Sequence, residues 1–453
     1  MKRVAIIGAG ITGLTTAFYL QRKGVPVTVY ESGGRAGGVI QSIRTDGFLA
    51  ESGPNTILET SPEISRLVAG LNLESRRLYT DAQAKARFVV RGQRPVAMPS
   101  SPPALITSPL LSARGKLALV RELFVPRRQD GREESVAEFV TRRLNREFLE
   151  RLVDALVGGI YAGDPERLSL QHALPRLAQA EARYGSLIKA EVLGRRERKK
   201  SGQMAKDRAP GFSFDEGLQV LPDTLAARLG DNLKLNAPVA QITQIGGGWR
   251  VASAKDEADF AAVVYCGTAY RLAELQIAAP APVNVEAFSE IRYAPVASVV
   301  LGFRKEDVAH PCQGFGMLIP RIEGFKILGT IFSSSLFPNR APAGHVLLTS
   351  YIGGERSPEL TALSRDELAR FACHDLGILL GVTGPPVFQQ TVLYPRAIPQ
   401  YNVGYGKFKQ LFAEIESKVV GLYFAGHFRD GVSVADSIVS GANAAGRVET
   451  FLK

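Results

Sequence analysis

Val4-Ala5-Ile6-Ile7-Gly8-Ala9-Gly10-Ile11-Thr12-Gly13-Leu14, residues 4–14, is the stretch that decides the fold. Four apolar residues in succession read as a short strand buried on both faces. Beyond the glycines, Leu14, Ala17, Phe18 and Leu20 fall at helical spacing. Gly24 ends that helix, and Val25-Pro26-Val27-Thr28-Val29-Tyr30 is a second strand that finishes at Glu31. Strand, helix and strand thus enclose a GxGxxG whose three glycines have separate duties. Gly8 makes the tight turn, Gly10 admits a pyrophosphate to the backbone, and Gly13 lets helix and strand pack closely. Ile11 and Thr12 open the helix, whose positive end faces the phosphates. Glu31 lies about 20 residues past Gly10, where an acid meets the ribose hydroxyls of a dinucleotide.

Glu31-Ser32-Gly33-Gly34-Arg35-Ala36-Gly37-Gly38 follows directly. Its arginine brings positive charge near a diphosphate, and its glycines let the chain pass close to a large cofactor. The pattern ExxxRxGG resembles that of flavoproteins in the amine oxidase superfamily, which implies FAD held by Glu31, Ser32, Arg35, Gly37 and Gly38 as well as by the fingerprint. Gly47-Phe48-Leu49-Ala50-Glu51-Ser52-Gly53-Pro54-Asn55 resembles the superfamily segment that passes the isoalloxazine, with contacts expected from Gly53, Pro54 and Asn55.

At the other end of the chain, Gly421-Leu422-Tyr423-Phe424-Ala425-Gly426 reads as a strand ending in glycine, followed by a loop through Gly431 and a helix from about Val434 to Arg447. The positive end of that helix would face the pyrimidine side of a flavin. Residues 421–446, GLYFAGHFRDGVSVADSIVSGANAAG, resemble the C-terminal signature of the protoporphyrinogen oxidase family, usually AGN, then RGGV, then an SG and AA pair. The resemblance implies FAD contacts from Gly426, Val432 and Val434, and from Val239 against the adenine. His427 stands where the family usually has asparagine, and Asp430 where many members have glycine. Both are expected to alter the loop rather than the chemistry.

The middle of the chain carries the same resemblance. Gly158-Gly159-Ile160-Tyr161-Ala162-Gly163-Asp164-Pro165 is similar to the family's GVYAGDP, whose backbone near Gly159 and Gly163 lines the substrate. Gly314 to Leu318 and Leu328 to Pro338 are similar to its substrate domain, and imply that Leu318 and Phe337 sandwich a pyrrole ring. Phe214 to Leu221 resembles FxGGxxxLP, with Glu216 replacing the first glycine. Where several relatives place an arginine for a propionate this chain has Asn55, and Arg91 is the alternative for pairing with a carboxylate. Leu105, Ile106, Leu110, Leu111, Leu117, Leu119, Val120, Leu123 and Phe124, interleaved with Arg114, Lys116, Arg121, Arg127 and Arg128, suit a membrane interface or a core helix with a basic face. The run RRERKKSGQMAKDR, residues 195–208, reads as a solvated loop.

Composition narrows the function classes. The 453 residues are 45% hydrophobic and 22% charged, and fit a globular protein of two or three domains. No run is long enough for a spanning helix, and the basic, apolar start lacks an h-region and cleavage site, so it reads as mature chain. A net charge of +11 favours anionic partners, with nucleic acid the weakest because no recognition module is found. Three scattered cysteines and five dispersed histidines offer neither a metal cluster nor a Ser/His/Asp set, so no catalytic side chain is expected. A bound cofactor would carry the chemistry.

The expected fold is α/β: a discontinuous Rossmann-like FAD-binding domain (1–78, 211–255 and 418–453), a helical membrane-binding region (79–170), and a mixed-sheet substrate-binding domain (171–210 and 256–417). The resemblance implies a porphyrinogen substrate and O2 as partners. It further implies a peripheral site on the cytoplasmic face of a membrane or in the cytoplasm, pairing as a homodimer, and hand-off to a ferrochelatase. Protoporphyrinogen and coproporphyrinogen stay open as substrates, with a flavin amine oxidase a more distant alternative.

Overall fold

A computed structural model describes residues 2–99, 104, 107–201 and 209–453, with the side chains of 195–201 outside that description. Its organising element is a parallel sheet of five strands in the order Leu233–Lys234, Val27–Tyr30, Val4–Ile7, Ala262–Tyr265, Leu422–Phe424. Its three inner strands are wholly buried, as a sheet covered on both faces requires. Helix Ile11–Arg22 packs against the C-terminal helix Val434–Leu452 through Gly441, where a Cβ would stand 2.5 Å from the Thr12 carbonyl oxygen. The Thr16 hydroxyl donates to both the Thr12 and Gly441 carbonyls. The two ends of the chain are thereby locked in one core.

Ala262–Tyr265 corrects the expected boundary at 255/256, because it lies inside the parallel sheet between the first and last strands. It begins one residue after strand Glu257–Phe260 of a separate antiparallel sheet, so no turn residues announced the change. The C-terminal helix also runs to Leu452 rather than Arg447.

The second large sheet has seven strands: Phe388–Pro399, Tyr293–Arg304, His345–Gly353, Ile327–Ile331, Gly316–Leu318, Arg87–Arg91 and Arg94–Ala97. All pair antiparallel except Gly316–Leu318 with Arg87–Arg91, so the sheet is mixed, as expected. The hairpin Arg87–Ala97, assigned above to the helical region, is instead the edge of this sheet.

The helical region continues past 170 through Pro175–Tyr184 and Leu187–Ser201. It is held by buried charge. Arg143, fully enclosed, pairs with Glu122 and, at 3.0 Å, with Glu181. Burial alone would raise the Glu122 carboxyl's pKa. The Ser186 hydroxyl at 2.6 Å, the Arg143 guanidinium and the Leu187 N–H at 2.8 Å together hold it below the ordinary value. The basic run expected as a loop is helical as far as Ser201, in keeping with the strong helix propensity of Arg, Lys and Glu; residues 202–208 lie outside the described residues.

Among the described residues no helix is long and apolar enough to cross a membrane. Leu105 and Ile106 lie outside them. Leu110 and Leu111, expected at an interface, are buried core residues. By contrast Leu117, Val120 and Phe124, on and just beyond helix Ala113–Glu122, are 66%, 57% and 80% exposed. Their spacing places them along one face.

Candidate cofactor and active site

Gly8 adopts a φ of +104° and its N–H donates to the Tyr30 carbonyl at 2.8 Å. A Cβ on Gly13 would overlap the Gly8 carbonyl oxygen, so helix and strand approach as closely as glycine allows. Gly10 differs. Its φ of −70° suits any residue, and a Cβ there would meet nothing within 4 Å. No side chain caps the helix that starts at Ile11, and its first turn has no acid, although Ile11, Thr12 and Gly13 are buried. Buried helix N–H groups without a cap call for an anion, and the open space over Gly10 accommodates one. The residues present therefore fit the diphosphate of a dinucleotide.

Glu31 is fixed beside this turn, its two oxygens accepting the Ala9 and Gly33 N–H groups at 2.8 Å each and the Ser32 hydroxyl at 3.2 Å. Asn236 N donates to Gly33 O and Ala237 N to Glu31 O, and Val239, two residues further on, is half-buried. Arg35 does not extend toward the diphosphate. Its guanidinium turns back onto the carbonyls of Ala36, Gly38 and Ile40 and clasps its own loop. Gly37 N ties that loop to Ala9 O at 2.8 Å, and Gly38 lies against Gly10.

A Cβ on Gly53 would overlap the Val39 carbonyl oxygen, so this segment meets the glycine loop, with Pro54 half-buried beside it. Asn55 is no substitute for a propionate-binding arginine. Its amide donates to the Tyr351 hydroxyl at 2.9 Å and accepts from Ser333 at 3.3 Å, while Tyr351 donates to Gly53 O at 3.1 Å. Both ends of the amide are taken up inside the protein. Beneath them Glu51 is enclosed with Arg340 at 3.3 Å, Ser42 Oγ at 2.6 Å and Leu218 N at 2.9 Å. Burial pushes the Glu51 carboxyl's pKa up and the Arg340 guanidinium's down, each opposing the other's shift.

The C-terminal strand delivers Gly426, with φ +128°, to within reach of Thr12, and Gly426 N donates to Ser440 Oγ at 2.9 Å. Tyr401 donates to the His427 carbonyl and accepts from Gly431 N at 2.9 Å, and Tyr405 donates to the Phe428 carbonyl. Val432 and Val434 are half-buried at the start of the last helix, which Ser433 caps by accepting from Asp436 N at 3.0 Å. Thus the Gly8–Gly13 turn, Glu31, the Gly37–Gly38 loop, Gly53 and Gly426 converge along the carboxyl ends of the parallel strands.

In helix Asp154–Tyr161, Gly159 is exposed, and half-buried Leu318 packs onto it so closely that a Cβ there would overlap Leu318 Cδ2. Gly163 abuts Gln400, whose amide donates to Tyr161 O at 2.8 Å. The expected sandwich of Leu318 and Phe337 is not formed. Phe337 is 1% exposed, sealed with Leu336 and Ala84, and Arg340 covers its ring at 4.8 Å. Leu318 packs in a different cluster, with Val89, Leu110 and Ala155. Arg91, half-buried at a strand end, has no ion-pair partner among the described residues.

Sequence reasoning missed Tyr351, Tyr401 and Tyr405, the hydroxyls that hold Asn55 and the C-terminal loop. The only available signal was three tyrosines at strand ends and in loops. Among the described residues no cluster of His, Cys, Asp or Glu could hold a metal.

A glycine turn on a buried parallel strand, an uncapped helix, an acid at the end of the next strand and a second glycine loop define a dinucleotide-binding fold. The flavin-containing amine oxidoreductase family model matches residues 11–449. The chain belongs to that family and, within it, to the protoporphyrinogen oxidases, and it is an FAD-dependent oxidoreductase. It is 35% identical to protoporphyrinogen oxidase 2 (chloroplastic/mitochondrial) of Arabidopsis thaliana, over 100% of this chain and 94% of that one. It is 28% identical to coproporphyrinogen III oxidase of Bacillus subtilis, over 100% and 98%. A crystal structure of an Exiguobacterium protein assigned as a protoporphyrinogen oxidase superposes with a TM-score of 0.83 at 23% identity, covering 99% of both chains.

Proposed function

We propose that this enzyme oxidises protoporphyrinogen IX to protoporphyrin IX in porphyrin biosynthesis, removing six electrons with O2 as acceptor and H2O2 as by-product. The observation that carries this reading is the 35% identity to a plant protoporphyrinogen oxidase along the whole chain, against 28% for the Bacillus coproporphyrinogen enzyme. FAD, when bound, supplies a two-electron hydride acceptor. The chain's own residues bind and orient. The uncapped Ile11–Arg22 helix and Gly10 take the diphosphate, Glu31 the ribose, and the Tyr401–Tyr405 pair fixes the loop after Gly426.

Gly159 is exposed beside Leu318, and there a flat macrocycle meets peptide groups whose carbonyls accept pyrrole N–H bonds. Arg91, a half-buried cation in no ion pair among the described residues although its charge helps to lower the Glu147 carboxyl's pKa, is the group we assign to a substrate carboxylate. The exposed Leu117, Val120 and Phe124, bordered by Arg114 and Arg121, make a peripheral membrane contact. An amine oxidase reading finds no aromatic cage in Trp249, which is fully enclosed and donates to Val420 O at 3.1 Å.

The purified yellow enzyme, given each porphyrinogen in air, should release fluorescent protoporphyrin and peroxide faster than coproporphyrin. A faster second substrate makes it a coproporphyrinogen III oxidase, and porphyrin formation no faster than in the enzyme-free control overturns the assignment. Arg91→Ala should raise KM for the porphyrinogen with little change in kcat.

A further inference from the structure

Asp430 stands in the loop between strand Leu422–Phe424 and helix Val434–Leu452, where glycine is the more usual reading. Its Oδ2 accepts from the Ser440 hydroxyl at 2.5 Å, and the same Ser440 Oγ accepts from Gly426 N at 2.9 Å. With its proton committed to the carboxylate, the serine oxygen turns a lone pair to Gly426 N. Gly426 O in turn accepts Asp430 N and Arg429 N at 3.0 Å each. Residue 430 is therefore tied to residue 426 twice, once through the backbone and once through a serine that is only 2% exposed on the last helix.

The ring so closed lies against the cofactor turn. A Cβ on Gly426 would stand 3.8 Å from Thr12 Oγ1, in the first turn of the uncapped helix Ile11–Arg22. Ser440 precedes Gly441, the glycine that seats the last helix on the Thr12 carbonyl. Residues 429–434 are half-buried or exposed, so hydrogen bonds rather than packing hold this stretch. Tyr401 and Tyr405 supply some of them, at His427, Phe428 and Gly431. Those are bonds between neutral groups. The Ser440 bond to Asp430 is charge-assisted and the stronger kind.

We infer that Asp430 is a positioning residue for FAD: through Ser440 it holds the Gly426–Gly431 loop in its cofactor-binding shape before the cofactor arrives. The inference rests on the FAD site and not on the choice of porphyrinogen. A loop already closed loses little further freedom when FAD binds. One released from Asp430 must be ordered at that moment, and the loss appears in affinity.

The test compares Asp430→Gly, Asp430→Asn and Ser440→Ala with wild type, reading FAD affinity by fluorescence quenching, FAD dissociation from the holoenzyme, and the visible circular dichroism of the bound flavin. Asp430→Gly should weaken FAD binding roughly 10- to 150-fold, mostly through faster dissociation, and should alter the flavin's dichroism. Asp430→Asn keeps an acceptor oxygen without the charge, and should fall between that variant and wild type. Ser440→Ala should weaken binding too, and Asp430→Gly/Ser440→Ala should bind no more weakly than the worse single variant, because both residues serve one relay. A merely structural bond would lower apoprotein stability in urea while affinity, dissociation and dichroism stay as in wild type, and that result overturns the inference. Additive losses in the double variant overturn it as well, by separating Asp430 from Ser440. Because no porphyrinogen enters these readouts, failure here is distinct from failure of the substrate reading.

Discussion

Replacing Gly10 and Gly13 separately by alanine divides what the cofactor requires from what the protein requires. At Gly10 the backbone is ordinary, and a Cβ meets no atom within 4 Å. Gly10→Ala should leave the apoprotein as stable as wild type or about 0.5 kcal/mol more so, through the lower entropy of the unfolded chain. The same methyl intrudes on the space before the uncapped helix, and overpacking of this kind costs about 1–3 kcal/mol. At 1.4 kcal/mol per tenfold, FAD affinity should fall roughly 5- to 150-fold. At Gly13 the added Cβ overlaps a backbone oxygen, Gly8 O, which cannot swing away. Gly13→Ala should therefore lose about 1–3 kcal/mol or more of stability, with or without FAD. Denaturant melts of the apoproteins and FAD titrations by fluorescence quenching read both quantities. A Gly10→Ala protein that binds FAD like wild type would refute the placing of the diphosphate.

Three further outcomes are expected. Arg340→Met leaves Glu51 buried without its cation, and should cost about 3–5 kcal/mol in urea unfolding, much of it recovered in the Glu51→Gln/Arg340→Met double variant. The folded pKa of His427, about 4, lies below its ordinary 6.5, so the unfolded chain binds the extra proton between those values. Stability should thus be lost as pH falls from 6.5 toward 4, by up to about 3 kcal/mol, and His427→Asn should flatten that limb in melts run across the range. Leu117→Glu/Phe124→Glu should abolish co-sedimentation with anionic vesicles while leaving kcat in detergent unchanged, and vesicle binding equal to wild type would exclude that face as the membrane contact.

The cofactor half of the molecule was legible because its physics is local. A buried strand, a glycine turn and a helix within the first thirty residues define their own geometry, and the last helix starts at Val434 as read. The substrate half was less legible because its contacts are distant in sequence. Asn55 bonds Tyr351, Phe337 lies under Arg340, and Leu110 packs with Ala155, none of which a single segment records. Strand Ala262–Tyr265 was misassigned because it follows another strand without a turn. The basic run past Arg195 read as a loop by its charge, whereas its propensity and the Glu122–Ser186 bonds at the head of its helix favour helix.

The most direct test of the central claim is an anaerobic titration of the yellow holoenzyme with protoporphyrinogen IX, following flavin absorbance and porphyrin fluorescence together. Six electrons leave each macrocycle and each flavin accepts two, so with enzyme in excess three flavins should bleach for each protoporphyrin formed, and air should restore the colour with release of peroxide. A flavin that stays oxidised while porphyrinogen is present, or porphyrin that forms without bleaching, would contradict the account.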